Sequence, residues 1–466
     1  MFWIPINFQV SFFRSKHMKL RVDRARQLQA SILIGFCMLG ANASGQGLSD
    51  KVTAIYGSGS VFTGVTHTRT DTDSGTDTNT EPSVGVSGSL GGNLDSGANS
   101  LQLQYGGTLE TRRDTFGGGQ TDSSSVTGAS RFTHFDPASR FDFNLGHTVS
   151  SVRNDTGFVV NPSSYDTRNT LSAGAGLRFF PGDLTTLRFS GQAGKSFGED
   201  ELNGSESVTA SADLTRRLSE RSSASLVGSR SWSDDDGFDT IIDSAQVIYN
   251  RTLENGSFSI GVGTSRSETE FADGSESDGD AATGFVNRTW ASDESQTTVA
   301  YNRRLSDSTT DLSLDIPVFL DFLPDSIRIR DLVVSDAVSI THNTTRLCDV
   351  CTLGLVAEAS MLESQITGAT SHEYRTGINL GVQLTSLQRL SFGYSWQGDA
   401  AEDEGTIIDQ IHSLTTRWTR QLAENTSFSV DFNQSYLRSK LDRNDQDQFT
   451  LRLVLSHGFS LMGNGG

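Results

Sequence analysis

Beyond its first 43 residues this 466-residue chain has no run of roughly 18 consecutive apolar residues, the least that lets a helix cross a bilayer. Lysine is nearly missing from the same region, where only Lys51, Lys195 and Lys440 occur, so arginine supplies almost all positive charge. Acids outnumber it: the whole chain carries −19, and without a leader holding six Lys/Arg and one Asp the remainder stands near −24. Nucleic-acid binding requires a basic footprint, so nucleic-acid partners are excluded. Catalytic signatures are absent as well. No nucleophile elbow, zincin motif, phosphate loop or dinucleotide fingerprint occurs. His67, His134, His147, His342, His372, His412 and His457 are scattered singly, each reading as a lumen or interface side chain. No catalytic residue, metal site or cofactor is expected, and no enzyme activity with them.

The amino end reads as an export signal. After Met18, a second candidate start, come Lys19, Arg21, Arg24 and Arg26, then an apolar run over 30–39, then the small-x-small site Ala41-Asn42-Ala43. A basic region, a short apolar core and such a site define a secretory signal peptide over 1–43. Cys37 invites a lipoprotein reading, but Phe36 before it is too bulky for that processing. A periplasmic segment is expected over 44–57, the folded body over 58–460 and a short tail over 461–466.

What the body does contain is a recurring turn. Leu218-Ser-Glu-Arg-Ser, Leu253-Glu-Asn-Gly-Ser, Leu347-Cys-Asp-Val-Cys and Leu422-Ala-Glu-Asn-Thr-Ser are members, with turn centres near 96, 137, 182, 220, 255, 293, 350, 387 and 425. Most intervals are about 37 residues, enough for two strands of about 12 residues and one longer connection. Between turns, residues alternate. Leu187, Phe189, Gly191 and Ala193 oppose Arg188, Ser190 and Gln192; Val208, Ala210, Ala212 and Leu214 oppose Thr209, Ser211, Asp213 and Arg217. Leu451, Leu453 and Leu455 oppose Arg452 and Ser456 in the same way. One face suits acyl chains and the other suits water. Burying so many polar rows unpaired in a dry core would cost about 1–3 kcal/mol per group.

The expected fold is therefore all-β: a transmembrane antiparallel β-barrel of about 20 strands (range 16–20), with short periplasmic turns and long acidic outer loops. Phe179, Phe180, Trp232, Tyr249, Trp290, Trp418, Tyr436 and Phe459 are expected to form aromatic girdles at the two interfaces. The outer loops include Asp234-Asp235-Asp236, the acidic stretch 273–280 and Glu402-Asp403-Glu404, read as solvated tips; a divalent-cation bridge to lipopolysaccharide is the sharper reading. The stretch 273–280 lacks the ligand register of an EF-hand. The closing alternation Phe449, Leu451, Leu453, Leu455 to Phe459 fits the terminal signal for barrel assembly machinery.

Strand parity nominates Arg188, Gln192, Asp213, Arg217, Glu358, Gln383 and Arg452 as lumen-facing contacts. One connection is long and irregular, 307–332, and too apolar for a freely solvated loop. It is read as a constriction carrying Ile316, Phe319, Phe322, Arg328 and Arg330, as a surface for a partner, or as a cap on the rim. Cys348 and Cys351 sit at a periplasm-facing turn in an oxidising compartment, which favours a disulfide over redox or metal chemistry.

The stretch 166–306 adds a resemblance. Asp166-Thr-Arg-Asn-Thr-Leu-Ser-Ala-Gly-Ala-Gly-Leu-Arg-Phe-Phe-Pro-Gly-Asp, Thr215-Arg-Arg-Leu-Ser-Glu-Arg-Ser-Ser and Tyr301-Asn-Arg-Arg-Leu-Ser are similar in cadence to outer-membrane β-barrel proteins found with exopolysaccharide export and PEP-CTERM (exosortase) systems of Gram-negative bacteria. The resemblance covers about a third of the chain and brings no catalytic residues. It implies an outer-membrane, porin-like transport protein acting with polysaccharide-export components, among outer-membrane lipids and lipopolysaccharide. A non-conducting scaffold, an outer-membrane hydrolase and a β-helical adhesin are the competing classes. A folded barrel is expected to migrate differently on a gel before and after boiling, whereas identical mobility would point to the adhesin.

Overall fold

A computed structural model describes residues 52–72, 75–113, 120–153, 165–198, 204–234, 238–271, 274–306, 312–313, 326–327, 333–365, 368–401, 407–440 and 445–462. The expected leader lies outside these residues. Twenty strands form one sheet: β1 (Val52–Thr72), β2 (Gly75–Ser96), β3 (Asn99–Arg113), β4 (Gln120–Phe135), β5 (Phe141–Arg153), β6 (Tyr165–Gly182), β7 (Thr185–Gly198), β8 (Ser205–Ser219), β9 (Ser222–Asp234) and β10 (Phe238–Leu253). They continue as β11 (Gly256–Phe271), β12 (Glu276–Ala291), β13 (Ser295–Ser306), β14 (Val333–Thr344), β15 (Cys351–Ser364), β16 (Thr370–Thr385), β17 (Gln388–Ala401), β18 (Ile407–Ala423), β19 (Thr426–Ser439) and β20 (Asp445–Met462). Each pairs antiparallel with its sequence neighbours, and β1 pairs with β20, so the sheet closes. Val61 lies opposite both Val86 and Leu455 at this seam. A separate two-residue ladder joins Leu312–Ser313 to Ser326–Ile327.

The tight turns follow from local chemistry. Gly97 takes φ +70° between β2 and β3, a left-handed backbone that glycine adopts without a Cβ penalty, and the Asp95 carboxylate accepts the Gly97 N–H at 3.1 Å. At Gly256, φ is +132° and a Cβ would collide with the Thr289 carbonyl. The ladder shifts register just before several of these turns, between Phe179 and Gly182, Arg217 and Ser219, Gln383 and Thr385, and Gln421 and Ala423. Bulges of this kind are concentrated at barrel rims.

Alternation sorts the side chains into two faces. Large apolar residues left exposed by the protein itself, including Val84, Leu109, Val208, Leu226, Val247 and Val262, share one face; Val262 is 62% exposed. The other face is concave, because Arg452 on β20 reaches Glu110 on β3 at 3.6 Å across β1 and β2. Strands lie about 4.8 Å apart, so only inward-pointing side chains converge over that span. Gly64 and Ser83, at the same level on the two intervening strands, leave room for it.

Three expectations about extent are corrected. β1 begins at Val52 rather than at 58, because the Gly/Ser-rich start of the strand continues the ladder against β2 and β20. β20 likewise runs to Met462, past the expected end at 460. Acidic residues expected in outer loops are strand residues: Asp234 ends β9, while Glu276, Asp278 and Asp280 lie within β12. Above the apolar band both faces meet water, so backbone pairing continues while charged side chains replace apolar ones. At the top of the β1–β2 hairpin, the Thr76 hydroxyl and the Arg69 guanidinium hold the Asp71 carboxyl below its usual range.

Cys348 and Cys351 form a disulfide within the β14–β15 turn, with Cα atoms 5.1 Å apart. The loop it closes is short, so the constraint on the unfolded chain is worth about 2 kcal/mol at most. A Cys348→Ser, Cys351→Ser double variant is expected to keep the barrel's heat-sensitive gel mobility, with its urea midpoint lowered by no more than that free energy implies.

Candidate functional site: the lumen wall

All seven nominated residues lie on the concave face. Arg188 on β7 donates to the Asp142 carboxylate on β5 at 2.7 Å, and the Arg178 guanidinium on β6 approaches the same carboxylate at 3.4 Å. Asp213 stands opposite Arg188 in the ladder but accepts a hydrogen bond from the Thr215 hydroxyl at 2.6 Å. Gln192 faces Gly174 and Thr209 across its two ladders. Glu358 lies opposite Arg375. Gln383 donates to the Thr385 carbonyl at 2.6 Å, and Arg389 is its cross-strand neighbour. Arg217, together with Ser223, Asn250 and Ser259, lines a cleft of about 310 Å³ at the ends of β8 to β11. Ile316, Phe319, Phe322, Arg328 and Arg330 lie outside the described residues.

Arg452 belongs to the largest cluster. Its guanidinium covers the Phe62 ring at 4.5 Å, approaches Glu110 at 3.6 Å and stands opposite Asp431 in the ladder. Glu110 accepts from Arg112 at 3.2 Å, Arg112 lies 3.9 Å from Glu81, and Arg417 binds Asp431 at 2.8 Å. Ion pairs thus join β18 to β19, β20 to β3 and β3 to β2, with Asp431 and Arg452 facing each other between the first two. Sequence reasoning missed Asp142, Arg178, Glu110, Arg112, Arg417 and Asp431. Parity places each on the inner face, but no sequence signal says which of them share a height along the barrel.

Two regions of the wall differ in character. On β9 to β12 and on β14 the described inner positions carry no charge: they are mainly Ser, Thr, Gly, Asn and Gln, such as Ser229, Ser244, Gln246, Ser259 and Thr341. Serine pairs bridge these strands, as between Ser229 and Ser244 at 2.7 Å. The outward face changes too. Near the β8–β12 tips, Glu206, Asp234, Asp239, Glu270 and Glu276 stand directly opposite one another on successive strands. Facing like charges oppose pairing, so this row requires water around it.

Every one of the seven histidines outside the leader projects from the outward face. Six bond to hydroxyl or amide oxygens: His67 to Thr80, His134 to Asn99, His147 to Tyr105, His342 to Thr297, His412 to Tyr394 and His457 to Thr426. Among the described residues no group of three or more His, Cys, Asp or Glu has the geometry to hold a metal ion. The expected girdle aromatics Phe179, Trp232, Tyr249, Trp290, Trp418, Tyr436 and Phe459 also point outward. Trp418 meets Phe428 edge-on at 6.3 Å, and Arg288 covers Trp290 at 4.8 Å.

The described residues thus form a closed antiparallel β-barrel of 20 strands, with an apolar outer and a polar inner face, the architecture in which strands cross a membrane. No family model matches the sequence, and no curated protein does. Among solved structures it is similar to the ferric enterobactin receptor PfeA of Pseudomonas aeruginosa, at 11% identity and TM-score 0.48, covering 87% of this chain and 80% of that one. It is also similar to OccK5 (OpdH) of the same organism, at 12% identity and TM-score 0.37, covering 89% and 100%. The FrpB iron transporter of Neisseria meningitidis gives 9% identity and TM-score 0.44, covering 88% and 83%.

Removing Arg452 leaves Glu110 with Arg112 alone and strips the cover from Phe62. Arg452→Ala is expected to lower unfolding stability by about 1 kcal/mol, the scale of a partly exposed ion pair together with a cation–π contact. Arg452→Lys is expected to recover part of it. Urea unfolding followed by tryptophan fluorescence measures both, and equal midpoints for wild type and Arg452→Ala would show that the cluster contributes nothing.

Proposed function

We propose that this chain is a β-barrel channel in the outer membrane of a Gram-negative bacterium, serving export of surface polysaccharide or a related exosortase/PEP-CTERM system. The observation that carries the channel reading is the closed ladder with its two faces: exposed Val, Leu and Phe outward, and Ser, Thr, Asn, Gln and paired charges inward. A wall rich in hydroxyls and amides exchanges hydrogen bonds with sugar hydroxyls as readily as with water, so it permits passage without tight binding. The cadence of 166–306 supports the polysaccharide assignment. The outward apolar band and girdles suit outer-membrane lipid, with lipopolysaccharide beside the acidic strand tips. The closing strand suits recognition by barrel assembly machinery, and polysaccharide-export components are the partners on this reading.

The test is single-channel conductance of residues 44–466 refolded into a planar bilayer, alongside a variant lacking 307–332. Stable current steps from the full chain, interrupted by added sugar polymers, are the expected result. Steps from the deletion alone would assign 307–332 as a constriction. Silence from both, with heat-sensitive mobility intact, would replace the channel with a non-conducting scaffold.

A further inference from the structure

The inner-face charges are sorted along the barrel axis. Position along each strand, counted from the tight turns, gives height above the periplasmic rim. Near that rim arginine prevails. Arg389 is the second residue of β17, Arg217 lies two residues before the end of β8, and Arg131 four residues before the end of β4. None of these three has an ion-pair partner among the described residues. Arg178 and Arg188 share the single carboxylate of Asp142, which leaves that cluster with a positive excess. Asp95 and Asp213 offset part of the charge.

Toward the opposite ends carboxylates prevail. Asp399, two residues before the end of β17, stands opposite Glu373 on one side and Asp409 on the other. Arg375, 3.4 Å from Glu373, is the nearest answering charge. Asp77 and Glu81 lie high on β2, and Glu81 shares Arg112 with Glu110. Arg168 near the far end of β6 and Arg304 on β13 are positive charges at this level, so the carboxylate excess there is partial. The outward carboxylate row at the β8–β12 tips lies toward the same end and adds to its negative potential.

From this sorting we infer that the lumen is an ionic rectifier that loads anionic solutes from the periplasmic side, which rests on the channel reading above. Fixed charge in a low-dielectric cleft concentrates mobile ions of opposite sign. Anions enrich in the arginine zone and cations in the carboxylate zone. A voltage that drives anions outward and cations inward fills both zones and raises conductance. The reverse voltage empties the junction between them. An anionic polymer entering from the periplasm meets arginine first, whereas one arriving from outside meets carboxylates.

The experiment records single-channel current against voltage at about 0.1 M KCl, where the screening length is about 10 Å, and at about 1 M, where it is about 3 Å. At low salt the current at one polarity is expected to exceed that at the other by about twofold or more, and the asymmetry to vanish at high salt. Arg131→Glu with Arg389→Glu is expected to abolish it while stable steps remain. Oligogalacturonate, a polyanionic sugar, is added to each chamber in turn. It is expected to interrupt current only from the side on which an impermeant thiol reagent reaches reduced Cys348 and Cys351. A linear response at low salt, or block from the other side alone, overturns the inference and leaves the channel standing. If the full chain is silent, the 307–332 deletion is measured instead; silence from that too removes the channel reading and this inference with it.

Discussion

The structure depends on the ladder between β1 and β20. Without it, two strands of unpaired N–H and C=O groups would face hydrocarbon, where each unsatisfied group costs several kcal/mol. With it, every strand has two neighbours and the barrel has no edge. The seam is long: β1 pairs with β20 from Ile55 to Asp71. It joins the two ends of the chain, so the fold is complete only when the last strand is in place. The small residues along β1, including Gly57, Gly59 and Gly64, allow bulky neighbours such as Phe459 to lie against it.

Closure gives alternation its meaning. A strand with period two is ambiguous in an open sheet, but in a closed one its two faces become an outside and an inside. Apolar residues that would be a liability in water become the lipid contact. Among the described residues few apolar side chains are fully buried, and buried polar ones such as Ser267, Thr240 and Arg168 are at least as prominent. Stability therefore resides in backbone pairing, in hydroxyl bridges such as Ser190 to Ser211, and in ion pairs, rather than in a hydrophobic core.

Curvature then brings distant strands into reach. Arg452 and Glu110 are remote in sequence and three strands apart, yet they meet because inward side chains converge. The same geometry gathers Arg178 and Arg188 on Asp142. On the outward side aromatic residues pair mostly between adjacent strands, as Phe179 does with Phe189, while Tyr105 on β3 reaches His147 on β5 across β4. The arrangement separates two kinds of surface: apolar and aromatic side chains outside, and paired charges and hydroxyls inside.

Much of this was legible in the sequence. The recurrent turns give the hairpins, and period-two alternation assigns Arg188, Asp213 and Arg452 to the inner face, because both signals are local. The reading of β13 as 295–306 matches Ser295–Ser306 because a turn and an abrupt change in composition bound it. Less legible were the ends of β1 and β2, where Gly and Ser carry little pattern, and the acidic tips, because charge alone does not distinguish a loop from a strand above the membrane. The sequence by itself determined which residues share the outward face and which the inward one, since alternation is written in adjacent positions. Only the tertiary structure decided which inner residues meet and at what height, since that depends on the register of twenty ladders and the curvature that closes them.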